Sequence, residues 1–372
     1  MKKAVLVFFL PLLLASANGS GSQDQIGETV YTEGDVSVVR DGASLSSDEV
    51  VIGLPIDNFD FMKTGDDGNA QVKVTATQAP ASTITVSPDT QFTFELSTLQ
   101  GRQASSVNLI SGSLSMKVST LTGDQDLDVQ TENTVLGVRG TEFAVTTSEA
   151  GDVLVTCSTG DVSCRTENGT EYDAIPGTAV ENQAEGQFHT IPVAASDTET
   201  FRRSWVEQRR AFVRANAPHL IQASAARYRQ LRASYDRDYG ALMRQRSVID
   251  KWRTEDRRGG MGAAHEVERE KRAVGATMLR LRKTQFLLER VYFRLLRLKT
   301  LHDQGLGRGT LPGGITTDRF FDQLQRERGD VELRMATVRN VARLYAHRNR
   351  NEDPTSYSPR FRPEKPLRDR RR

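Results

Sequence analysis

Cysteine and histidine are scarce in this 372-residue chain, with two of the first and five of the second. That scarcity bears first on chemistry. A structural zinc site needs four thiolate or imidazole ligands close together, whereas His189, His219, His265, His302 and His347 are scattered. His265-Glu266 does not continue as a zinc-protease helix, because Arg269 stands where the second histidine belongs. Neither a nucleophile elbow nor a phosphate-binding loop occurs. Gly305, Gly307 and Gly309 fall between helical stretches rather than after a strand. The expectation is a protein without catalytic residues, metal site or cofactor. The paired carboxylates Asp66-Asp67 and Asp124-x-Asp126-x-Asp128 read as solvated turns in preference to calcium loops, since Leu127 and Val129 make the second a strand.

Long apolar runs are lacking too, except at the N-terminus. Lys2 and Lys3 precede the apolar run Ala4 to Leu14, and Ala15-Ser16-Ala17 supplies small residues for cleavage between Ala17 and Asn18. A helix of that run reaches about 16 Å, against a hydrocarbon core of about 30 Å. Residues 1–17 are therefore read as a cleaved signal peptide in preference to a membrane anchor. The mature protein is expected to be periplasmic or secreted, with no transmembrane segment.

An oxidising compartment gives the two cysteines a role. Cys157 and Cys164 flank Ser158-Thr159-Gly160-Asp161-Val162-Ser163. If Gly160-Asp161 is a two-residue hairpin turn, 157 lies opposite 164, within disulfide reach. The alternative is two reduced thiols buried as small apolar residues.

Lysine is sparse in the second half, and acidic residues dominate the first. Residues 1–200 hold nine Lys/Arg and 28 Asp/Glu, a net charge of −19; residues 201–372 hold 41 and 20, a net of +21. Of those 41 cations, 36 are arginine. Such a division points to two domains, each a potential partner for the other. Guanidinium groups bind carboxylate and phosphate in a bidentate fork. An anionic envelope surface or an acidic protein is thus the expected partner; export argues against nucleic acid.

Residues 28–193 alternate apolar and polar side chains in short runs, the mark of strands with one buried face. The runs include Val36/Val38, Val50/Ile52/Leu54, Val72/Val74, Ile84/Val86, Phe92/Phe94/Leu96, Leu114/Met116/Val118 and Val153/Val155/Cys157. Three of these stretches begin with glycine, at Gly34, Gly112 and Gly160. From Thr198 the pattern becomes helical, over four expected helices. Ile221, Tyr228, Tyr235, Leu242 and Ile249 recur every seven residues in one; Val274, Leu281, Leu288 and Leu295 in the next; Leu324, Val331, Val338 and Tyr345 in the last. The fold expected is α+β and multidomain: an all-β sandwich or β-roll over 28–193, a basic helical bundle or coiled coil over 198–348, and a disordered basic tail over 349–372.

The string Val138-Arg139-Gly140-Thr141-Glu142-Phe143-Ala144-Val145, preceded by Leu127-Asp128-Val129-Gln130-Thr131, resembles the FecR domain. The resemblance extends over about residues 30–185. On its own terms Gly140 serves a turn, Thr141 a strand start, and Phe143 and Val145 the core. The resemblance implies a binding module outside the cytoplasm. One branch of the family relays outer-membrane signals to a sigma factor, but it has a cytoplasmic segment and a membrane span that this sequence does not match. The reading is a non-enzymatic binding or adaptor module whose Arg-rich helices dock to an anionic partner or surface. The alternatives are a self-assembling structural protein, acidic domain to basic helices, and an envelope signalling or regulatory component.

Overall fold

The computed structural model describes residues 24–349 except 78, 100, 101, 120–124, 167, 168 and 184–186. The signal peptide, its Ala17/Asn18 cleavage site and all but the first residue of the basic tail lie outside the described residues.

The acidic half forms 18 strands: β1 (Gln25–Glu33), β2 (Val36–Arg40), β3 (Ala43–Leu45), β4 (Pro55–Asp57), β5 (Phe61–Thr64), β6 (Asn69–Val74), β7 (Ser82–Val86), β8 (Gln91–Leu99) and β9 (Arg102–Ser111), then β10 (Ser113–Val118), β11 (Gln125–Gln130), β12 (Val135–Val138), β13 (Glu142–Thr147), β14 (Val153–Thr159), β15 (Val162–Arg165), β16 (Glu171–Ala174), β17 (Thr178–Asn182) and β18 (Phe188–Pro192). Two nine-stranded sheets result. The first runs β18-β17-β14-β13-β10-β7-β6-β1-β4; the second runs β16-β15-β12-β11-β9-β8-β5-β2-β3. The chain lays down one or two strands in one sheet, then crosses to the other, so the two faces close on each other as they grow. Among the described residues all pairings are antiparallel except β9 with β11. The alternating residues read from the sequence meet between the sheets: Val38, Val72, Ile84, Leu114, Val129 and Val155 are all buried there.

The recurrent glycines mark crossings. Gly34, Gly112 and Gly160 have φ of 68°, 96° and 81°, and each stands where the chain leaves one sheet for the other. At Gly112 a Cβ would lie 2.3 Å from Thr90 Oγ1 and 2.5 Å from Thr90 Cα. Only glycine fits such a combination of left-handed backbone and close approach.

Three expectations need correction. The segment Val50-Val51-Ile52-Gly53-Leu54 is a loop, not a strand: Val50 is buried, but Ile52 is 67% exposed. The anticipated hairpin around Gly160-Asp161 does not form, because β14 pairs with β13 and β17 while β15 pairs with β12 and β16 in the other sheet. Cys157 and Cys164 therefore approach the core from opposite sheets, and both are free thiols. Burial pushes the Cys164 thiol well above its usual range. Finally, among the described residues there are five α-helices, not four: α1 (Thr198–Ala215), α2 (Ala217–Met243), α3 (Arg246–Arg257), α4 (Ala264–Asp303) and α5 (Thr317–Asn349). The long second helix breaks after Met243, where Gln245 leaves helical geometry. The heptad residues Ile221 to Ile249, Val274 to Leu295 and Leu324 to Tyr345 named from the sequence are all buried.

The helices do not form a detached bundle. Sheet two presents a second apolar set on its outer face, Phe59, Phe61 and Ile110, and these join one core with α2, α4 and α5. Phe61 stacks on Phe293 at 5.4 Å between ring centroids. On the opposite side α1 lays Trp205 against Leu154, Ala179 and Val193 on the outer face of sheet one. The β unit is thus clasped on both outer faces.

Two stability outcomes are expected. Gly112→Ala should lower the unfolding free energy by about 2 kcal/mol or more, whereas Gly42→Ala, where φ is also positive but a Cβ meets nothing within 4 Å, should cost about 1 kcal/mol; urea melts compare them. Asp128 has its carboxyl raised to about 6 by burial, with Arg165 opposing. A folded value above the unfolded one means the ionised form is penalised above pH 6, and the penalty fades as the pH falls towards 4. Asp128→Asn should therefore melt higher than the wild type at pH 8, with an advantage that shrinks by pH 4.5.

Candidate functional site

The outer face of sheet two holds polar side chains that the alternation would place in water: Thr93, Glu95, Asn108 and Gln130, all under 7% exposed. Covering such a face leaves carbonyls and a carboxylate to be satisfied. Arginines of α4 do this. Arg282 pairs with Glu95, both side chains 7% exposed, and its guanidinium lies 5.3 Å from the Phe59 ring centroid. Arg290 donates to the carbonyls of Leu109 and Gln130 at 3.1 Å each while lying 3.6 Å over Phe286. Arg294 pairs with Glu132, and Arg297 with Glu149 and, at 3.0 Å, the Asp89 carbonyl. Burial alone would raise Glu132, but Arg294 and Arg290 outweigh it, and the carboxyl is held below its ordinary range.

Helix α5 closes the other end. Arg343 contacts Asp24 at 2.8 Å, Asp41 at 3.0 Å and Asp256 at 2.7 Å, and Asn340 also bonds Asp41. Arg343 is raised despite burial, because those carboxylates favour its charge. Helix α1 is held more lightly. Trp205 Nε1 donates to Glu181 at 2.7 Å, and Arg209 lies 3.5 Å from Asp152 and 3.9 Å from Glu181.

Strain coincides with this seam. Among the described residues only Asp41, Phe59 and Asp89 are non-glycine residues with positive φ, at 52°, 69° and 57°. Each touches a helix arginine: Asp41 Arg343, Phe59 Arg282 and Asp89 Arg297. A bulky residue such as Phe in this region costs of order 1–3 kcal/mol, sustained only by its surroundings.

Where α1 passes one end of the β unit, a cleft of about 520 Å³ remains. One wall is α1, where Glu199 pairs with Arg202 and Glu207 with Arg210 and where Arg203 and Arg209 also stand; the other is a set of strand turns bearing Asp66, Asp89 and Glu149, with Arg297 of α4 beside them. A cleft of this size is the usual scale of a ligand site.

The residues singled out from the sequence lie elsewhere. Val138 ends β12, Arg139 is exposed, and Gly140, with φ 63°, takes the chain from sheet two to sheet one. Thr141 is buried under Gly160, whose Cβ would meet Thr141 Cγ2 at 2.7 Å, and Phe143 and Val145 enter the inter-sheet core. The string builds a crossing, not a binding surface. Sequence reasoning missed Arg203, Asp66 and Asp89 as cleft residues; the signal for the seam was there, in arginine used almost to the exclusion of lysine.

A family model described as FecR protein matches residues 60–163. The chain carries a FecR domain. The match runs from the strained turn before β5 to β15, so β1–β4 and β16–β18 widen the FecR sheets beyond the matched stretch. Two crystal structures of a proposed anti-sigma factor from Parabacteroides distasonis resemble the chain at 15% and 14% identity, with TM-scores of 0.32 and 0.31. They cover 37% and 38% of this chain and 62% and 63% of theirs. The chain thus spans about 62% of the length of the first solved structure it matches. No curated protein matches it. Among the described residues, no helix is long and apolar enough to cross a membrane.

The buried pair at the centre of the FecR–helix seam gives a direct test. Arg282→Met should cost about 3–5 kcal/mol, because Glu95 stays buried without its partner. The double variant Glu95→Leu/Arg282→Met should recover most of that loss. Denaturant unfolding of the two proteins measures the difference, and equal stabilities would show that the pair is not coupled.

Proposed function

We propose that this FecR-domain protein is a non-catalytic regulatory component of the bacterial cell envelope, exported by its N-terminal signal and acting through contacts with other molecules. The observation that carries this reading is the uneven attachment of the helices to the FecR domain. Helices α4 and α5 are fixed by buried arginines and a shared core. Helix α1 buries only Trp205 and Val213, yet Asn216 joins it directly to α2. Regions with few buried contacts are the ones that move at low cost. A ligand entering the cleft would bear on α1, and through it on the outer surface of the bundle, where a partner protein can read the change.

A second reading keeps some support. Arg237, Arg244, Arg258 and Arg326 are exposed, away from the seam. They suit docking to an anionic envelope surface or an acidic protein, the attraction falling with salt. Self-association by acidic sheet and basic helix has less support, since the best-buried of those pairs, such as Arg282 with Glu95, form within one chain.

Deleting the gene in its native host and restoring it tests the regulatory reading. The mature protein should fractionate with the envelope and begin at Asn18. Transcription of a limited gene set should change on deletion and return with the wild-type copy but not with Trp205→Ala, which loosens α1. An unprocessed cytosolic protein, or transcripts that do not respond, would overturn the proposal.

A further inference from the structure

We infer that the cleft between α1 and the FecR strand turns binds a short zwitterionic peptide, with a carboxylate on the α1 wall and an ammonium group on the turn wall. The inference rests on the regulatory reading only in taking this cleft as the recognition site.

The argument starts from charge that is not used. Among the described cleft residues Arg203 and Asp66 are exposed, and neither has an ion-pair or hydrogen-bond partner within the chain. They stand on opposite walls. Arg209, on the α1 wall, is held only loosely, at 3.5 Å from Asp152 and 3.9 Å from Glu181, and its buried Nε has no acceptor. Its guanidinium lies 5.9 Å from the Trp205 ring centroid and 5.8 Å from that of Phe212, near two aromatic faces. Such a fork matches a carboxylate. Opposite it, Asp89 uses its backbone carbonyl to hold Arg297, and its carboxylate, 44% exposed, makes a long ion pair of 4.0 Å with the same arginine. The turn wall therefore offers the carboxylates of Asp66 and Asp89 to a cation.

The two walls stand apart across the cleft, with Trp205 hydrogen-bonded to Glu181 at one side and Arg297 engaged by Glu149 and the Asp89 carbonyl at the other. A simple anion would satisfy one wall and leave the other acidic, and a simple cation the reverse. A ligand with both charges several ångströms apart satisfies both, and the volume of about 520 Å³ accommodates a few residues.

Isothermal titration of the mature protein with the tetrapeptide Glu-Ala-Ala-Lys, termini free, tests this, with its doubly capped Ala-Ala-Ala-Ala counterpart and inorganic phosphate as comparisons. Binding of the zwitterion alone is expected, weakened at least tenfold by Arg203→Ala and likewise by Asp66→Asn. Both substitutions are at exposed residues without internal partners, so an unchanged melting temperature verifies the fold. No binding at millimolar peptide, equal binding of the capped peptide, or phosphate competing fully for the site would each overturn the inference. A peptide that binds while host transcripts stay unchanged would sink the regulatory role and leave the site standing.

Discussion

The outer face of the second sheet sets the terms for the whole molecule. It carries Glu95, Asn108 and Gln130 among Phe59, Phe61 and Ile110. Burying such a mixture is unfavourable unless each polar group finds a partner with good geometry. Arginine does this where lysine would not. Its planar group donates to two carbonyls at once, as Arg290 does, while its face rests on an aromatic ring. The repeated use of arginine along α4 follows from that need. So does the packing of the helices onto the FecR domain instead of onto one another alone.

The same seam accounts for the backbone strain. Asp41, Phe59 and Asp89 hold left-handed conformations that an isolated turn would avoid, and each is gripped by an arginine from a helix. Helix and turn therefore depend on each other. A β unit without its helices would lose what stabilises these turns, and the helices would expose their aromatic residues. Part of the charge difference between the halves is met inside the chain, where Arg209, Arg282, Arg294, Arg297 and Arg343 pair with carboxylates of the β unit.

Helix α1 is the exception. It is tied to the first sheet through a small apolar cluster, the Trp205–Glu181 and Arg202–Ser115 hydrogen bonds and the loose ion pairs of Arg209 with Asp152 and Glu181. Its unpaired Arg203 faces carboxylates on the turns across open space. This is the part of the molecule where an incoming group can replace solvent without breaking the core, and where a displacement passes along a continuous chain into the bundle.

The strand alternation, the heptads and the Arg-Gly-Thr string were enough to read the β unit, the helices and the FecR domain, because each is local: period two and period seven record which face is buried. Glycines at 34, 112 and 160 also signalled sharp turns. Chain order could not say that the turn at Gly160 changes sheets, so Cys157 and Cys164 were wrongly placed across a hairpin. Nor could it distinguish the loop at Ile52 from a strand, since an exposed apolar tip has the same composition. The sequence by itself determined the two textures, their opposite charges and the family of the β unit. Only the tertiary structure decided that these charges meet within one chain and that a cleft stays open beside α1, because both depend on contacts between residues as far apart as Asp41 and Arg343, which no local pattern records.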